Sequence, residues 1–265
     1  ELAPLIRDLF LPEEGEDWVC ADYAQQEPRV LVHYASLKNI DSALIARDSY
    51  HQDENTDFHQ MVADMAEIPR KQAKTINLGL MYGMGKNKLM AELGLMKESA
   101  EKLIKQYHTK APFVKQLMDN VSRKANDRGK IRTLLGRACH FDLWQPVQFG
   151  VFKPLPLEQA RKEYDEPLKR AFTYKALNRL IQGSAADIIR LAMIKIDKVL
   201  EEKKKAKMLL QIHDELIFEC LEKDAMYIKK TIKEAMISIS NSEYHMFSIP
   251  LDVRVNSGYN WGEIH

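Results

Sequence analysis

The stretch RKQAKTINLGLMYG, residues 70–83, places side chains of different chemistry at regular helical spacing. Arg70 and Lys74 lie one helical turn apart, and Leu78 and Tyr82 continue the same row over about 18 Å. A solvated basic face would explain the two cations alone, but two glycines in the second half each cost a helix up to about 1 kcal/mol. The row therefore suggests a nucleoside triphosphate site, with the phosphates at the cationic end and the base at the apolar end.

A second candidate for chemistry is a set of carboxylates at the ends of apolar strands. Asp22 ends the apolar run that starts at Trp18, and Asp214 and Glu215 lie between two apolar runs. Turn geometry alone would explain each Asp, because Asp tolerates turns. If the strands are neighbours, the carboxylates repel one another unless they hold a cation. Mg²⁺ in proteins uses one or two carboxylates together with substrate phosphates, so a magnesium site is the functional alternative.

Weaker signals come from amides and histidines. Asn178 and Gln182 are four residues apart in the helical pattern of 177–196, where they could reach one polyanion or base edge. The small residues that follow them are explained as well by tight helix packing. His59 and His213 could contact phosphates, although a single histidine is more often an ordinary surface or core residue.

Composition limits the class of protein. The chain has 265 residues, of which 45% are hydrophobic and 29% charged, as in one large folded unit or two subdomains. No apolar run approaches about 18 residues and the start is not a signal peptide, so we expect no membrane partner. Three cysteines without a CxxC pair favour a reducing, cytoplasmic setting. Because the net charge is only +1, a nucleic-acid surface would have to concentrate its cations locally.

Hydrophobic periodicity predicts an α+β fold, with helices around a small antiparallel sheet. The predicted elements are a strand over 18–21, helices after Pro28 and over 70–83 with Pro69 at the start, one or two amphipathic helices in 96–128, two short strands in 128–141, helix over most of 158–202, an apolar hairpin over 208–220, and a helix and strand that close the chain. The Pro-rich stretch 144–159 predicts an irregular insertion or linker.

Together these motifs resemble family A DNA polymerases, the group of bacterial DNA polymerase I and its phage and organellar relatives. The match includes DYAQQEPR (22–29), similar to DYSQIELR; RKQAKTINLGLMYG (70–83), similar to R-x3-K-x3-F/Y-G-x2-YG; QIHDE (211–215), similar to VHDE; and also GRACHF (136–141), IQGSAADII (181–189) and DVRVNSGYNW (252–261). The resemblance covers essentially the whole chain, in order.

The resemblance implies a right-hand polymerase architecture. It implies a palm of a small antiparallel sheet with helices over 1–42 and 173–265, and mostly helical fingers over 43–172. Only the short stretch 1–16 precedes Asp17, where the segment that leads into the first motif begins, and the chain opens on Glu1 rather than methionine. We therefore expect a fragment without a thumb, or a partner chain that supplies the thumb and an exonuclease.

The resemblance also implies roles for individual residues in template-directed DNA synthesis. Asp22 and Asp214 would ligate two Mg²⁺ ions with support from Glu215, and Lys74 would donate a proton to pyrophosphate. The nucleotide-binding residues would be Arg70, Lys74, Leu78, Tyr82, His59 and Glu27, with Glu27 excluding a 2′-hydroxyl so that dNTPs are preferred. The residues in contact with primer–template DNA would be Asn178, Gln182, His213 and Arg29.

Departures from the family pattern leave alternatives open. Leu78 replaces an aromatic residue, which predicts altered incorporation of chain-terminating or modified nucleotides. Gln26 and Pro28 replace the apolar residues on either side of Glu27. A related single-chain RNA polymerase or reverse transcriptase is one alternative, and a non-catalytic DNA-binding fragment is another.

Overall fold

The computed structural model describes residues 3–84, 86–148, 150–203, 205–240 and 247–264. The chain divides into two compact units, which we call the first and second units. The first comprises Glu1–Val30, Ser49–Asn55 and Ala185–His265, and the second comprises Leu31–Asp48 and Thr56–Ser184. Among the described residues, no helix is both long enough and apolar enough to span a membrane.

The helices and strands alternate irregularly along the chain, as expected for an α+β fold. The helices are α1 (Ala3–Arg7), α2 (Gln26–Ser36), α3 (Asp41–Gln52), α4 (Phe58–Ala66), α5 (Arg70–Met81), α6 (Lys86–Glu92), α7 (Lys97–Lys110), α8 (Phe113–Arg128), α9 (Leu157–Glu163), α10 (Ala176–Lys203) and α11 (Ala225–Ile237). The strands are β1 (Glu16–Tyr23), β2 (Lys130–Arg132), β3 (Ala138–His140), β4 (Leu143–Pro146), β5 (Leu155–Pro156), β6 (Leu168–Arg170), β7 (Ala206–Ile212), β8 (Glu215–Leu221) and β9 (Val253–Gly258).

The first unit is built on an antiparallel sheet with the strand order β7-β8-β1-β9. Strand β1 is central, and its residues from Trp18 to Ala21 are all buried. Its two faces pack differently because side chains alternate along a strand. Trp18 and Cys20 join a cluster with Ile217 and Ile264, whereas the Tyr23 hydroxyl donates to the Met236 carbonyl of α11 at 2.9 Å.

The predicted hairpin is confirmed and has a two-residue turn. Strands β7 and β8 pair from Ala206↔Cys220 to Ile212↔Glu215, so His213 and Asp214 make the turn. His213 has a φ of +55°, a left-handed conformation in which His is enriched several-fold over most side chains. The Gln211 side chain donates to the His213 carbonyl at 2.7 Å, which closes the turn.

The second unit is mainly helical, and one sequence prediction that falls in it needs correction. Residues 144–159 are not simply irregular, because β4 pairs with both β5 and β6 in a three-stranded sheet. The prediction that helix covers most of 158–202 is confirmed, because α9 and α10 account for most of these residues and only the segment that contains β6 interrupts them. The β4–β5–β6 sheet was not predicted because its strands have only two to four residues each, too few to show a periodic pattern. The prolines were therefore the only local signal, and they indicated an irregular segment.

Other predicted elements are confirmed with shifted ends. The 128–141 stretch forms the β2–β3 pair, and the 96–128 pattern forms α7 and α8. Helix α2 begins at Gln26, so Pro28 lies in its first turn. Helix α5 ends at Met81, and Pro69 is its N-cap rather than its first residue.

Arg29 is the largest fully buried side chain of the first unit, with 1% of its surface exposed. Its guanidinium donates to the carbonyls of Ala24 (2.8 Å), Pro250 and Glu54, and it lies 4.6 Å above the Tyr50 ring. Three separate segments of the unit are thus joined by one cation. This placement does not fit the DNA contact predicted for Arg29, because its donors are directed at the protein's own backbone.

Replacing Arg29 with Met should lower the free energy of unfolding by about 3 kcal/mol, because one buried and two part-buried hydrogen bonds to carbonyls lose a charged donor. Arg29→Lys should lose nearly as much, since an ammonium lacks the planar fork that reaches several acceptors. Urea denaturation measures both changes. Arg47→Met, an exposed ion-pair partner of Asp48, is the control and should change little. Equal stability of the Arg29 and Arg47 variants would contradict the structural role.

Candidate active site

The predicted carboxylates come together at one end of two paired strands in the first unit. Asp22 of β1 is the register partner of Glu215 at the start of β8. Directly opposed residues lie on the same face of a sheet, so both side chains project to the side that carries Cys20. The Tyr23 amide donates to the Asp214 carbonyl at 3.3 Å, which holds the turn against β1. The strand adjacency that the sequence left open is therefore established.

This arrangement is electrostatically unfavourable without a cation. Burial raises the pKa of Asp22 to about 7, and the charges of Asp214 and Glu215 add to the rise. Burial also raises the pKa of Asp214. Arg254, the β9 register partner of Asp22, is the charge that opposes the rise, and sequence reasoning did not identify it. The site thus holds more negative charge than its surroundings neutralise.

The donor set fits a hard divalent cation. Carboxylate oxygens at the edge of a sheet are the ligands that Mg²⁺ prefers, and crowded carboxylates gain most from binding one. A second acidic group in this unit is a weaker candidate for a metal site. It consists of Glu13, Glu16 and Glu219, whose carboxylate oxygens lie within 4.8 Å of one another. The Lys207 ammonium lies 3.4–3.7 Å from all three, so this group already has its cation.

The row predicted from Arg70 to Tyr82 lies on α5 and its C-cap in the second unit. Arg70 and Lys74 are exposed and Leu78 is partly buried. Tyr82 is the C-cap residue, and 45% of its surface is exposed. The opposite side of the helix is packed into the unit, as its buried Ala73 and Ile76 show. Accordingly, the cationic row is accessible along its first turns.

Arg70 is held by a carboxylate that sequence reasoning missed. Both Nε and one terminal nitrogen of Arg70 donate to Asp57, at 2.9 and 2.7 Å. Asp57 is also the N-cap of α4, where it accepts from the amides of His59 and Gln60. The N-cap pattern could have revealed Asp57, because Asp directly before an apolar-periodic segment is a helix start signal.

His59 is oriented by a buried polar chain within the second unit. The Asn77 side-chain amide donates to His59 Nδ1 at 3.2 Å, and the Tyr107 hydroxyl donates to Asn77 Oδ1. Asn77 and Tyr107 are fully buried. Because the Tyr107 proton fixes the amide oxygen, the amide nitrogen must face the imidazole. Neither Asn77 nor Tyr107 was predicted, since contacts 30 and 18 residues apart in sequence leave no local pattern.

Burial sets the protonation state of His59, and the hydrogen bond from Asn77 sets its tautomer. Burial lowers the pKa of His59 to about 4, and the charges of Lys74 and Arg70 lower it further, while Asp57 opposes them. The imidazole is therefore neutral near pH 7. With Nδ1 accepting from Asn77, the proton lies on Nε2, which can donate to an anionic ligand.

The glycines of the α5 motif have internal explanations. A Cβ on Gly79 would lie 2.7 Å from Leu89 Cδ1 of α6. Gly83 has a φ of +69°, and a Cβ there would lie 2.9 Å from the Tyr174 carbonyl oxygen. The close approach that the sequence suggested is made by the protein itself. Gly183 of α10 is similar, because a Cβ would lie 2.7 Å from Thr133 Cγ2, in agreement with tight packing.

The remaining predicted residues are divided between the units. Glu27 lies in the first turn of α2 and His213 in the β7–β8 turn, both in the first unit. Asn178, partly buried, and Gln182, exposed, lie one turn apart at the start of α10 in the second unit. The structure thus groups the carboxylates in one unit and the α5 row with His59 in the other.

Comparisons with known proteins all match this chain to DNA polymerases. The family model described as DNA polymerase family A matches residues 1–263. A DNA-directed DNA polymerase of Pseudomonas phage M6 is 34% identical over 303 residues, covering 99% of this chain and 40% of its own length. The thermostable DNA polymerase I of Thermus aquaticus is 32% identical over 261 residues, covering 98% of this chain and 29% of its own length.

A solved structure described as the POL domain of Pol1 from M. smegmatis in complex with DNA primer-template and dNTP has a TM-score of 0.78. It is 28% identical, and the match covers 100% of this chain and 43% of that one. The fold is therefore that of a polymerase domain, with mixed α+β structure and antiparallel sheets. More particularly, the chain belongs to DNA polymerase family A. It spans 40% or less of the length of the two relatives named above.

The Asp22 environment predicts a pH-dependent stability. The pKa of Asp22 is about 7 in the folded state, against an ordinary value of 3.8 for an aspartate carboxyl. Between these values the unfolded chain loses its proton first, so this group makes the protein less stable as pH rises from about 4 to 7. Asp22→Asn should therefore be more stable than the wild type at pH 8, and the difference should disappear near pH 4.

Urea denaturation in Mg²⁺-free buffer measures this difference, with exposed Asp165→Asn as the control. Added Mg²⁺ should stabilise the wild type at pH 8 more than it stabilises Asp22→Asn, because ligand binding to the folded state adds to stability. A wild type whose stability rises from pH 4 to 8 relative to Asp22→Asn would contradict the assigned repulsion.

The hydrogen bonds from Tyr107 to Asn77 and from Asn77 to His59 predict the tautomer of His59. In protein labelled with ¹⁵N-histidine, NMR at pH 7 should show His59 as the neutral form protonated at Nε2. Asn77→Leu should produce a mixture of tautomers, because Nδ1 loses its donor. Tyr107→Phe should have a smaller effect in the same direction, since the amide can then rotate. Exposed Asn126→Leu is the control, and an unchanged His59 spectrum in folded Asn77→Leu would contradict the orienting role.

Proposed function

We propose that this chain carries the polymerising site of a DNA-directed DNA polymerase, which adds dNTPs to a primer 3′-hydroxyl under the direction of a template and releases pyrophosphate. The observation that carries the proposal is the register of β1 against β8, which brings Asp22 and Glu215 together beside Asp214, where burial and then the neighbouring carboxylate charges raise the pKa of Asp22 to about 7. Together with membership of DNA polymerase family A, this crowding favours a catalytic metal site.

Asp22 and Asp214 would hold two Mg²⁺ ions, and Glu215 would support them. Bound ions would lower the pKa of the primer hydroxyl and neutralise charge on the triphosphate. The protein contributes fixed carboxylate oxygens, since Asp22 lies in a central strand and Asp214 in a closed turn. Rigid placement of this kind suits phosphoryl transfer, in which positioning and charge neutralisation are most of the catalysis.

The α5 row would bind the incoming nucleotide. Arg70 and Lys74 would contact the triphosphate, and Lys74 would donate a proton to the leaving pyrophosphate. Neutral His59 would donate from Nε2 to a phosphate oxygen. Leu78 and Tyr82 would lie along the sugar and base. Glu27 would exclude a 2′-hydroxyl and so favour dNTPs over ribonucleotides.

Primer–template DNA would be contacted by Asn178, Gln182 and His213, whose amides and imidazole can donate to phosphates and base edges. Arg29 is left out because its guanidinium already joins three backbone carbonyls. The relatives are named as DNA polymerases, which favours this function over an RNA polymerase or a reverse transcriptase.

In the right-hand description, 1–42 and 173–265 would form the palm and 43–172 the fingers. The complex of the M. smegmatis POL domain with primer-template and dNTP supports these partners for the present chain. A thumb or exonuclease segment would act as a further partner of the same site. The host's cytoplasm is the expected location.

The function predicts Mg²⁺-dependent extension of a primed template by one nucleotide. Asp214→Ala should reduce extension at least a thousandfold, because the catalytic metals lose a ligand, and Lys74→Ala should reduce it less. Asp165→Ala, on the surface, is the matched control. Extension by Asp214→Ala at the wild-type rate would exclude this carboxylate from catalysis.

Because the chain spans 40% or less of these relatives, extension is paired with a binding measurement. A fluorescent dNTP should bind the wild type with Mg²⁺ and bind Arg70→Ala at least tenfold more weakly. A tenfold preference for the ribonucleotide would favour an RNA polymerase. Absence of both dNTP binding and extension would reject the proposed function.

A further inference from the structure

A groove of about 580 Å³ lies in the second unit, and its lining includes neither the carboxylates of the first unit nor any residue of the α5 row. Helix α8 forms its longest wall, and the end of α2, strand β2 and helix α10 complete it. Its lining residues are Tyr34, Leu37, Lys38, Leu117, Asn120, Val121, Arg123, Lys124, Asp127, Arg128, Ile131, Arg132 and Leu180.

The groove is strongly cationic. Its polar lining includes the five cations Lys38, Arg123, Lys124, Arg128 and Arg132, against the single carboxylate of Asp127. The whole chain has a net charge of only +1, so positive charge is concentrated at this surface. Local concentration of this kind is the electrostatic footprint of a polyanion site.

The groove cations differ from other cations of the same unit in their ion pairing. Arg70, Lys86, Lys110 and Lys115 each have a carboxylate oxygen within 2.9 Å. Within the described part of the chain, none of the five groove cations makes an ion pair. Arg123 instead donates to Asn120, and Arg132 donates to the Gly136 carbonyl. Their charge is therefore available to a ligand.

The floor of the groove is apolar. Leu117, Val121, Ile131 and Leu180 are at most 8% exposed, whereas Leu37 at the rim is 60% exposed. Cations around an apolar floor suit an unpaired strand, whose bases can lie on the floor while its phosphates meet the charges. A duplex would offer phosphates but keep its base faces stacked inside.

Two further features suit an extended ligand. Lys124 and Arg128 are one helical turn apart on α8 and follow Asn120, so this polar row extends about 12 Å along the helix. The Tyr34 hydroxyl is fixed by Ser184 Oγ at 2.8 Å, and that oxygen also accepts from the Leu134 amide at 3.0 Å. The Tyr34 ring is thus held at the wall, where a base could contact it.

We propose that this groove binds single-stranded DNA. This inference rests on the proposed polymerase function, in which the bound strand would be the unpaired part of the template. The cations neutralise phosphates, and the apolar floor with Tyr34 accepts base faces without sequence preference. The groove is therefore a binding site additional to the residues assigned above to the dNTP and the primer–template.

The test compares two triple variants that remove equal charge from exposed helical positions. Arg123→Gln/Lys124→Gln/Arg128→Gln alters the groove, and Lys97→Gln/Lys102→Gln/Lys105→Gln on α7 is the matched control. Fluorescence anisotropy with a labelled 16-mer of thymidylate gives affinity as a function of salt. The groove variant should bind at least tenfold more weakly, with a log–log salt slope smaller by about 2, since each phosphate contact on single strands contributes about 0.7. The control variant should keep the wild-type affinity.

A second comparison separates this site from the catalytic one. Primer–templates with template overhangs of one and twelve nucleotides should differ in affinity for the wild type but not for the groove variant. Fluorescent dNTP binding should be the same in the wild type and both variants. Absence of both dNTP binding and extension in the wild type would reject the polymerase function, while tight 16-mer binding that is lost in the groove variant would still support the groove as a single-strand site.

Three results would overturn the groove assignment. Equal weakening in the two triple variants would indicate general surface charge. Unchanged 16-mer binding by the groove variant would exclude the groove itself. Displacement of the 16-mer by poly-glutamate as effectively as by unlabelled oligonucleotide would indicate an acidic peptide site instead.

Discussion

Repulsion between carboxylates is the constraint on which the site in the first unit depends. The pairing of Asp22 with Glu215 is fixed by the register of β1 and β8, and a shift by one residue would turn every side chain to the other face. The buried run from Trp18 to Ala21 prevents that shift, because it would expose the apolar core. Burial thus holds the carboxylates together, and it is also the largest cause of the raised pKa of Asp22, to which the charges of Asp214 and Glu215 add.

In the second unit, hydrogen bonds rather than strand register fix the positions of the candidate side chains. Asp57 caps α4 and holds Arg70, so one carboxylate positions both a helix start and a cation. Asn77 and Tyr107 fix His59 from the buried side. A buried network of this kind specifies one orientation, because any rotation leaves a polar atom unsatisfied. The orientation of Arg70 on α5 and of His59 on α4 is therefore fixed by neighbouring side chains.

Sequence patterns predicted much of this, and the failures have physical causes. The β7–β8 hairpin and the α5 helix were predicted because their apolar periodicity is strong and local. The β4–β6 sheet was missed because its short strands leave no period to detect. Arg29 was predicted to contact DNA from its motif, but contacts with Pro250 and Glu54 draw it inside. Arg254 was missed since only strand pairing places it beside Asp22.

By itself, the sequence determined the types of residue available for chemistry and their order along the chain: carboxylates after apolar strands, a cationic helical row, and motifs in the family's order. Tertiary structure decided which of them meet and in what state. The adjacency of Asp22 and Glu215, the neutral His59 and the grouping of cations around the groove all depend on segments distant in sequence. Charge and proton position respond to neighbours within a few ångströms, and chain folding alone selects those neighbours.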